Sequence, residues 1–144
     1  MPNRAISEVI GNRPIPTTSL ARTVRDATAM MKTCRSSAVL VVDEGVLVGI
    51  FTERDVVYRV VAENLDPAQT RVDKVMTRKM QTIGPDKPFG HALHLMYEGG
   101  FRHVPVVDGA GHPLGLLCAH DALDIDGLCF EQELERREEI TVIL

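Results

Sequence analysis

An internal repeat constrains this sequence more than any other feature. When the 144 residues are shifted by 65 positions, matching residues fall on one another in a long series. These pairs are Thr17 with Thr82, Ala27 with Ala92, Met31 with Met96, and Val39, Val41, Val42 and Asp43 with Val104, Val106, Val107 and Asp108. The second copy then contains one additional residue, and beyond it Gly49 matches Gly115 and Asp55 matches Asp121. The series predicts two copies of one structural unit.

Each copy predicts the same order of elements. Apolar residues at helical spacing indicate one face of a short helix, and two runs joined by a turn indicate a pair of strands. A second helix follows, and a short extended piece precedes the unit. The helical positions are Val24, Ala27 and Met31, then Phe89, Ala92, Leu93 and Met96; the strands are 39–42 and 46–51, then 104–107 and 114–117. We therefore predict an α/β fold of two β-α-β-β-α repeats, related by a pseudo-two-fold axis and packed face to face.

The repeat divides the chain into four parts. These are a first repeat, a linker, a second repeat and a C-terminal segment, at 9–63, 64–74, 75–126 and 127–144. The C-terminal segment begins as a charged helix, with pairs such as Glu133 and Arg137 four residues apart, and ends in the apolar run 140–144. Chain ends are normally frayed and wet, so we expect this apolar end to dock on a partner surface.

Charge and composition limit the classes of partner. The net charge of −4 argues against a general nucleic-acid binder, which needs a surplus of Lys and Arg to displace counterions. The sequence shows no secretory signal and no apolar run long enough to cross a bilayer, so we expect a cytoplasmic protein with no membrane partner. The cysteines Cys34, Cys118 and Cys129 lack the spacing of a zinc knuckle and are expected to be reduced thiols.

The same short motif closes the strand pair of each repeat. Residues 49–55 read Gly-Ile-Phe-Thr-Glu-Arg-Asp, and residues 115–121 read Gly-Leu-Leu-Cys-Ala-His-Asp. Val-Met-Thr at 75–77 and Gly-Gly-Phe-Arg-His-Val-Pro-Val at 99–106 add to the pattern. The chain resembles the CBS domain family, whose ligand motif is Gly-x-x-Thr/Ser-x-x-Asp at a strand-to-helix junction. The resemblance covers nearly the whole chain.

The resemblance implies a tandem CBS pair, often called a Bateman module. The family binds adenosine-containing ligands in clefts between the two repeats, and its members regulate attached proteins or stand alone as dimers. The expected function is therefore a stand-alone, non-catalytic sensor of AMP, ADP or ATP. It would form a homodimer, signal to an unknown client protein and require no cofactor beyond this regulatory ligand.

The residue types at the first motif suit a nucleotide. The unpaired N–H groups at the start of the helix after Thr52 favour an anion such as phosphate, and Arg54 adds charge. Asp55 is an acceptor that fits the two hydroxyls of ribose. An exposed edge of strand 39–42 is expected to read adenine through its backbone. The predicted nucleotide-binding residues are Thr17, Val39, Leu40, Thr52, Arg54, Asp55, Thr82, Arg102, His103, Val104, Pro105, Cys118, His120 and Asp121.

The alternative interpretation of the first motif is an ordinary helix cap, with Thr52 and Asp55 forming a capping box. The second motif keeps Asp121 but replaces the cap hydroxyl by Cys118, and a carboxylate kept without its hydroxyl favours a ribose contact. A thiol is also a poor donor to phosphate. We therefore expect the first half-site to prefer the more phosphorylated ligand, although Arg102 and His103 could offset the difference.

Three other functions stay open from the sequence. The module could dimerise and bind a client protein without any ligand, through its apolar end. NAD or S-adenosylmethionine could replace the nucleotide. The side chains of His103, Cys118, His120 and Asp121 could supply zinc ligands, but their spacing contains no pair of chelating motifs, so no metal site is predicted.

Overall fold

A computed structural model describes residues 3–125, 131–132 and 134–136. The first repeat supplies a three-stranded sheet in the order β1-β2-β3, and the second supplies the two-stranded sheet β4-β5. The elements up to the linker are α1 (Ile6–Ile10), β1 (Thr17–Ser19), α2 (Val24–Cys34), β2 (Ala38–Asp43), β3 (Val46–Thr52) and α3 (Glu53–Asp55), which continues as a π-helix (Val56–Val61). The later elements are a 3-10 turn (Val72–Lys74), α4 (Phe89–Gly99), β4 (His103–Val107), β5 (Pro113–Cys118) and α5, helical over 120–125.

The two sheets share one pairing register. β2 and β3 run antiparallel with Ala38 opposite Thr52, and β4 and β5 run antiparallel with His103 opposite Cys118. Both pairs carry an irregularity at the equivalent point, between Val41 and Val42 and between 106 and 107. These positions are the ones that the sequence shift superimposes, so the repeat in sequence is a repeat in structure. The predicted two-repeat α/β fold is confirmed.

The long helices form where apolar spacing predicts them. Thr23 begins α2 with a complete capping box, in which its hydroxyl accepts from the Asp26 N–H and the Asp26 carboxylate accepts from the Thr23 N–H. Such a cap is worth about 1 kcal/mol. α4 ends at Gly100, whose φ of 69° is a left-handed conformation that glycine adopts at little cost. The predicted apolar positions of both helices face the core: Val24, Ala27, Met31, Phe89, Ala92 and Met96 are buried, and Leu93 is half-buried against the same core.

The two repeats exchange segments at their cores. Ile6 and Ile10 of α1 lie in the apolar cluster of the second repeat, with Phe89 and Leu117. In return, Val72 at the end of the linker and Val75 and Met76 at the start of the second repeat lie in the cluster of the first repeat. A third cluster, formed by Leu40 and Ile50 with Met80 and Leu116, joins the repeats. Each repeat therefore needs a segment that precedes the other repeat in sequence.

The predicted C-terminal features fall mostly beyond the described part of the chain. Glu133, Arg137 and the apolar run 140–144 lie outside it, so their predicted pairing and docking stay predictions. Residues 131–132 and 134–136 are helical and exposed. Among the residues that the structure describes, no helix combines the length and the apolar character needed to cross a membrane.

Candidate functional site

Two clefts lie where the repeats meet. The first cleft encloses about 1120 Å³ and is lined by the end of β3 and the start of α3 on one side, and by 99–103 of the second repeat on the other. The second cleft encloses about 440 Å³ and lies at the equivalent junction of β5 and α5, opposite 34–37 of the first repeat. Each cleft thus combines the motif of one repeat with a loop of the other.

The structure brings together eight of the predicted site residues. The first cleft receives Thr52, Arg54, Asp55, Arg102 and His103. The second receives His103, Cys118, His120 and Asp121, so His103 lines both.

The other six predicted residues line neither cleft: Thr17, Val39, Leu40, Thr82, Val104 and Pro105. The expectation of an exposed adenine-reading edge on β2 is wrong, because β1 pairs with one edge of that strand and β3 with the other. The Leu40 N–H donates to the Pro16 carbonyl, and the Leu40 side chain is fully buried. In the second repeat, β5 and a bridge from Ile83 flank β4 in the same way.

Thr52 and Asp55 form the capping box that the alternative interpretation anticipated. The Thr52 hydroxyl accepts from the Asp55 N–H at 3.4 Å, and the Asp55 carboxylate accepts from the Thr52 N–H at 3.0 Å. Asp55 is nevertheless only 7% exposed and lines the first cleft. A buried carboxylate at a cleft wall keeps acceptor capacity for a ligand hydroxyl, because each oxygen has more than one lone pair.

The start of α3 offers fewer anion donors than the sequence suggested. The Glu53 N–H donates to the Ser37 carbonyl at 3.0 Å, and the Asp55 N–H is taken by the cap. Two of the three first-turn donors are therefore bonded within the protein. A phosphate in this cleft would depend on side-chain cations rather than on a helix N-terminus.

Two residues that sequence reasoning missed hold the far oxygen of Asp55. The Thr77 hydroxyl lies 3.4 Å from Asp55 Oδ1, and Arg59 Nε lies 3.5 Å from it. Arg59 is itself fixed, since its Nη1 donates to the carbonyls of Val75 and Met76. The i, i+4 spacing of Asp55 and Arg59 on a predicted helix was the available signal.

Cations and apolar groups line the rest of the first cleft. Arg54 stacks over the Tyr58 ring, with its guanidinium carbon 5.5 Å from the ring centroid. Arg102 reaches from the second repeat to Glu53 of the first at 3.2 Å. Lys79 also lines the cleft, whereas Arg78 turns to the Asp73 carbonyl. The apolar and aromatic wall is formed by Ile50, Val57, Tyr58, Met80 and Phe101.

His103 connects the two clefts. Its Nε2 lies 2.6 Å from the Ser37 hydroxyl, so the pair forms a hydrogen bond between the repeats. Burial of the ring lowers the pKa of His103 below 6.5, and the neighbouring Arg102 lowers it further, while Glu53 and Asp121 oppose the shift. At neutral pH the ring is therefore uncharged, and it contributes a hydrogen-bonding group rather than a cation to both clefts.

The second cleft already contains a charged partner for its carboxylate. Asp121 accepts from the Cys118 N–H at 2.8 Å, as Asp55 does from Thr52. Its two oxygens also pair with Arg13, which sequence reasoning did not consider. The ion pair with Arg13 explains why the second repeat has a carboxylate at this position. A ribose contact is therefore not needed to explain Asp121. The 65-residue shift places Arg13 on Arg78, but this alignment does not indicate the partner of Arg13.

The structure brings the four side chains of the zinc alternative to the same cleft, the second one. No group of three or more His, Cys, Asp or Glu side chains able to hold a metal ion occurs within residues 3–125 and the short described pieces that follow. Cys34 and Cys118 are free thiols in the structure.

The comparison with protein families agrees with the repeat. The family model for the CBS domain matches twice, over residues 6–62 and 72–127. The chain belongs to the CBS domain family. The first match includes α1 and the second includes the 3-10 turn, the two segments that the repeats exchange.

Similar proteins of known sequence or structure carry CBS domains. CBS domain-containing protein CBSCBSPB1 of Arabidopsis thaliana is 45% identical over 89 residues, which cover 62% of this chain and 16% of that protein. A Burkholderia ambifaria structure described as a signal-transduction protein with CBS domains is 32% identical, with a TM-score of 0.77 over 83% of this chain and 91% of that one. The CBS domain pair of protein MJ0100, in complex with 5′-methylthioadenosine and S-adenosyl-L-methionine, is 25% identical, with a TM-score of 0.78 over 88% and 98% of the two chains.

The matched relatives differ greatly in length from this chain. The matched regions make up 16 to 20% of the Arabidopsis relatives. This chain is therefore similar to one region of those longer proteins.

Proposed function

We propose that this chain is a regulatory module that binds an adenosine nucleotide in the first cleft. The observation that carries the proposal is the buried carboxylate of Asp55 on a cleft of about 1120 Å³. The cleft has cations from both repeats and an apolar wall. Pockets of this kind, mostly apolar with a few placed polar groups, are the usual form of small-molecule sites.

Each part of a nucleotide has a matching surface. Asp55 would accept hydrogen bonds from the ribose hydroxyls. The wall that includes Tyr58 and Phe101 would hold the base, since aromatic rings stack well on planar groups. Arg102 and Lys79 would neutralise phosphate, with Arg54 as a third cation. This supply of cations favours AMP, ADP or ATP over an uncharged adenosine compound.

The ligand class is also supported by a related structure. The MJ0100 pair, similar in fold over most of both chains, is bound to two compounds that contain adenosine. S-adenosylmethionine and NAD are therefore the alternative ligands for this cleft. They differ from AMP at the 5′ end, so the choice among them depends on Lys79 and Arg102.

Thermal melts with AMP, ADP, ATP, NAD, S-adenosylmethionine and zinc test this choice. A ligand that binds only the folded state stabilises it by about 2.7 kcal/mol at a hundredfold excess over its dissociation constant. We expect the adenine mononucleotides to raise the melting temperature most. Mass spectrometry of a nucleotide that co-purifies with the protein gives an independent answer. The absence of any shift with all five adenosine compounds would contradict the proposal.

A second candidate function is protein interaction without a ligand. It is favoured by large apolar side chains that stay exposed: Val57, Tyr58 and Val61 on the π-helix, Tyr97 on α4 and Leu123 on α5. Exposed apolar patches mark interaction surfaces. We propose that Val61, Tyr97 and Leu123, which line neither cleft, belong to the surface that joins two copies into a homodimer, which is compatible with nucleotide binding.

The proposed role is signalling rather than catalysis. Nucleotide binding between the repeats would change how the two repeats pack against each other. A client protein or an attached domain would respond to that change. We propose that the module works in the cytoplasm, where adenine nucleotides are present, and has no catalytic activity of its own.

A further inference from the structure

Arg13 is paired with Asp121, the carboxylate that lines the second cleft. Its Nη1 donates to Asp121 Oδ1 at 2.5 Å and its Nη2 to Asp121 Oδ2 at 3.3 Å. Nη2 also donates to the Leu116 carbonyl at 3.2 Å. The guanidinium therefore binds the carboxylate in a bidentate way, and bidentate pairs between arginine and a carboxylate are among the strong hydrogen-bonded pairs in proteins.

The local sequence holds Arg13 in place. α1 ends at Gly11, whose φ of 49° turns the chain out of the helix. Arg13 is then followed by Pro14, and a residue before proline is restricted to extended conformations. Ile10, buried in the core of the second repeat, anchors the other side of this short segment.

Within the part of the chain that the structure describes, the first cleft has no equivalent contact. The residue aligned with Arg13 is Arg78, which donates to the Asp73 carbonyl instead. Among the described residues, Oδ1 of Asp55 meets the single Nε of Arg59, at 3.5 Å, and the Thr77 hydroxyl. The two carboxylates are alike in burial, 7% and 5% exposed, but only Asp121 is covered by a guanidinium fork.

Ribose hydroxyls are weak competitors for Asp121. They are neutral donors, so their bonds to Asp121 lack the attraction between opposite charges that the bidentate Arg13 pair has. Displacing Arg13 would also break its bond to Leu116. The second cleft, at about 440 Å³, is less than half the volume of the first, and Arg13 is part of its lining.

We propose that Arg13 is a built-in occupant of the second cleft, which limits the chain to one nucleotide, bound in the first cleft. The inference rests on the proposed function of the first cleft. It assigns to Arg13 the role of a specificity-determining residue, because it decides which of two similar motifs is available to ligand.

Calorimetric titration with AMP tests this assignment through stoichiometry. Wild type should bind one AMP per chain, and Arg13→Ala should bind two. The loss of the fork should tighten binding at the second cleft by about tenfold or more, as expected for a charge-assisted contact. Arg4→Ala is the matched control, since Arg4 is an exposed arginine on the same segment, paired with Glu8, and should leave one AMP per chain. Two AMP molecules per wild-type chain would overturn the proposal.

The double variant Arg13→Ala/Asp55→Ala separates this inference from the proposed function. Its first cleft is weakened and its second is free, so it should bind one AMP tightly, whereas Asp55→Ala alone should bind AMP at least about tenfold more weakly than wild type. If wild type binds no AMP, the proposed function of the first cleft fails, but the double variant still decides whether Arg13 blocks the second. Arg13→Gln in the same background, which keeps a shorter polar side chain without the charge or the guanidinium fork, serves if the alanine variant unfolds. A folded double variant with no AMP binding overturns the inference.

Discussion

At the scale of the residue, one carboxylate in each repeat performs two tasks. Asp55 closes a capping box and lines a cleft, and Asp121 accepts from Cys118 while it pairs with Arg13. Capping and ligand binding are therefore not exclusive interpretations of the motif. The Thr23 and Asp26 box of α2 has the same local hydrogen bonds but lines neither cleft, so it provides an internal control.

His103 should make stability depend on pH. Its pKa is lowered in the folded state, by burial first and by Arg102 second, so below pH 6.5 the unfolded chain takes up the proton more readily. The free energy of unfolding should fall as pH drops from 6.5 towards the lowered value and then level off. His103→Gln should remove this component. Urea titrations between pH 8 and 5 measure it.

Ser37→Ala is the matched control for this prediction. It removes the hydrogen-bond partner of His103 but leaves the buried ring, so it should lower stability at every pH and keep the pH dependence. Parallel curves for wild type and His103→Gln would contradict the account.

The first motif has a cap hydroxyl, on Thr52, and the second has the Cys118 thiol in its place, which should affect the free energy of unfolding. Thr52→Cys removes the hydroxyl that accepts from the Asp55 N–H, and should lower the free energy of unfolding by about 1 kcal/mol. Cys118→Thr supplies a hydroxyl at the start of α5 and should raise stability by a similar amount. Chemical denaturation measures both. Cys118→Thr alone should not add a binding site, because Arg13 still covers Asp121; a second AMP in that variant would contradict this reasoning.

At the scale of the element, two equivalent glycines allow the repeats to exchange segments. A Cβ at Gly49 would lie 2.4 Å from Met76 Sδ, and a Cβ at Gly115 would lie 2.9–3.0 Å from atoms of Ile10, including its own Cβ. Each glycine lies on the last strand of its sheet, β3 or β5, and faces a residue from the start of the other repeat. The repeat in sequence predicted both glycines, but not which segment each one contacts.

Alanine at these glycines should cost stability in a defined order. Gly115→Ala should destabilise by about 1–3 kcal/mol, the usual range for overpacking, because Ile10 is stiff and tied to α1. Gly49→Ala should cost less, since the end of the Met76 side chain can move. Gly109→Ala is the control, because its Cβ would meet nothing within 4 Å. Equal unfolding midpoints for the three variants would contradict the proposed packing.

At the scale of the whole molecule, the repeat predicted most of the fold. Apolar spacing placed α2, α4 and the strand pairs within a few residues of their bounds. It did not predict the order β1-β2-β3, because sheet order depends on how the chain crosses between elements. For this reason Val39 and Leu40 were expected at an open edge and lie in the core.

The contact between Arg13 and Asp121 was beyond sequence reasoning for a related cause. The two residues are 108 positions apart and meet only because α1 crosses to the second repeat. Local patterns such as caps and helix faces could be predicted, and contacts made by the exchange of segments could not.

The proposed homodimer makes a prediction at this scale as well. Light scattering should give twice the chain mass of 15.9 kDa. Val61 is 66% exposed on the π-helix and lines neither cleft, so Val61→Lys should weaken the dimer by placing a charge in the apolar interface. Val46→Lys, at the exposed start of β3, is the control and should leave the mass unchanged. A wild-type monomer at high micromolar concentration would contradict the prediction.

The central claim is that an adenosine nucleotide binds at Asp55, and calorimetric titration of AMP into wild type, Asp55→Ala and Asp26→Ala tests it most directly. Both variants lose a capping box and should be destabilised by about 1 kcal/mol. Only Asp55→Ala should lose affinity, by about tenfold or more, the range for one or two charge-assisted hydrogen bonds. The account predicts binding by wild type and by Asp26→Ala. Equal affinities for all three folded proteins would contradict it.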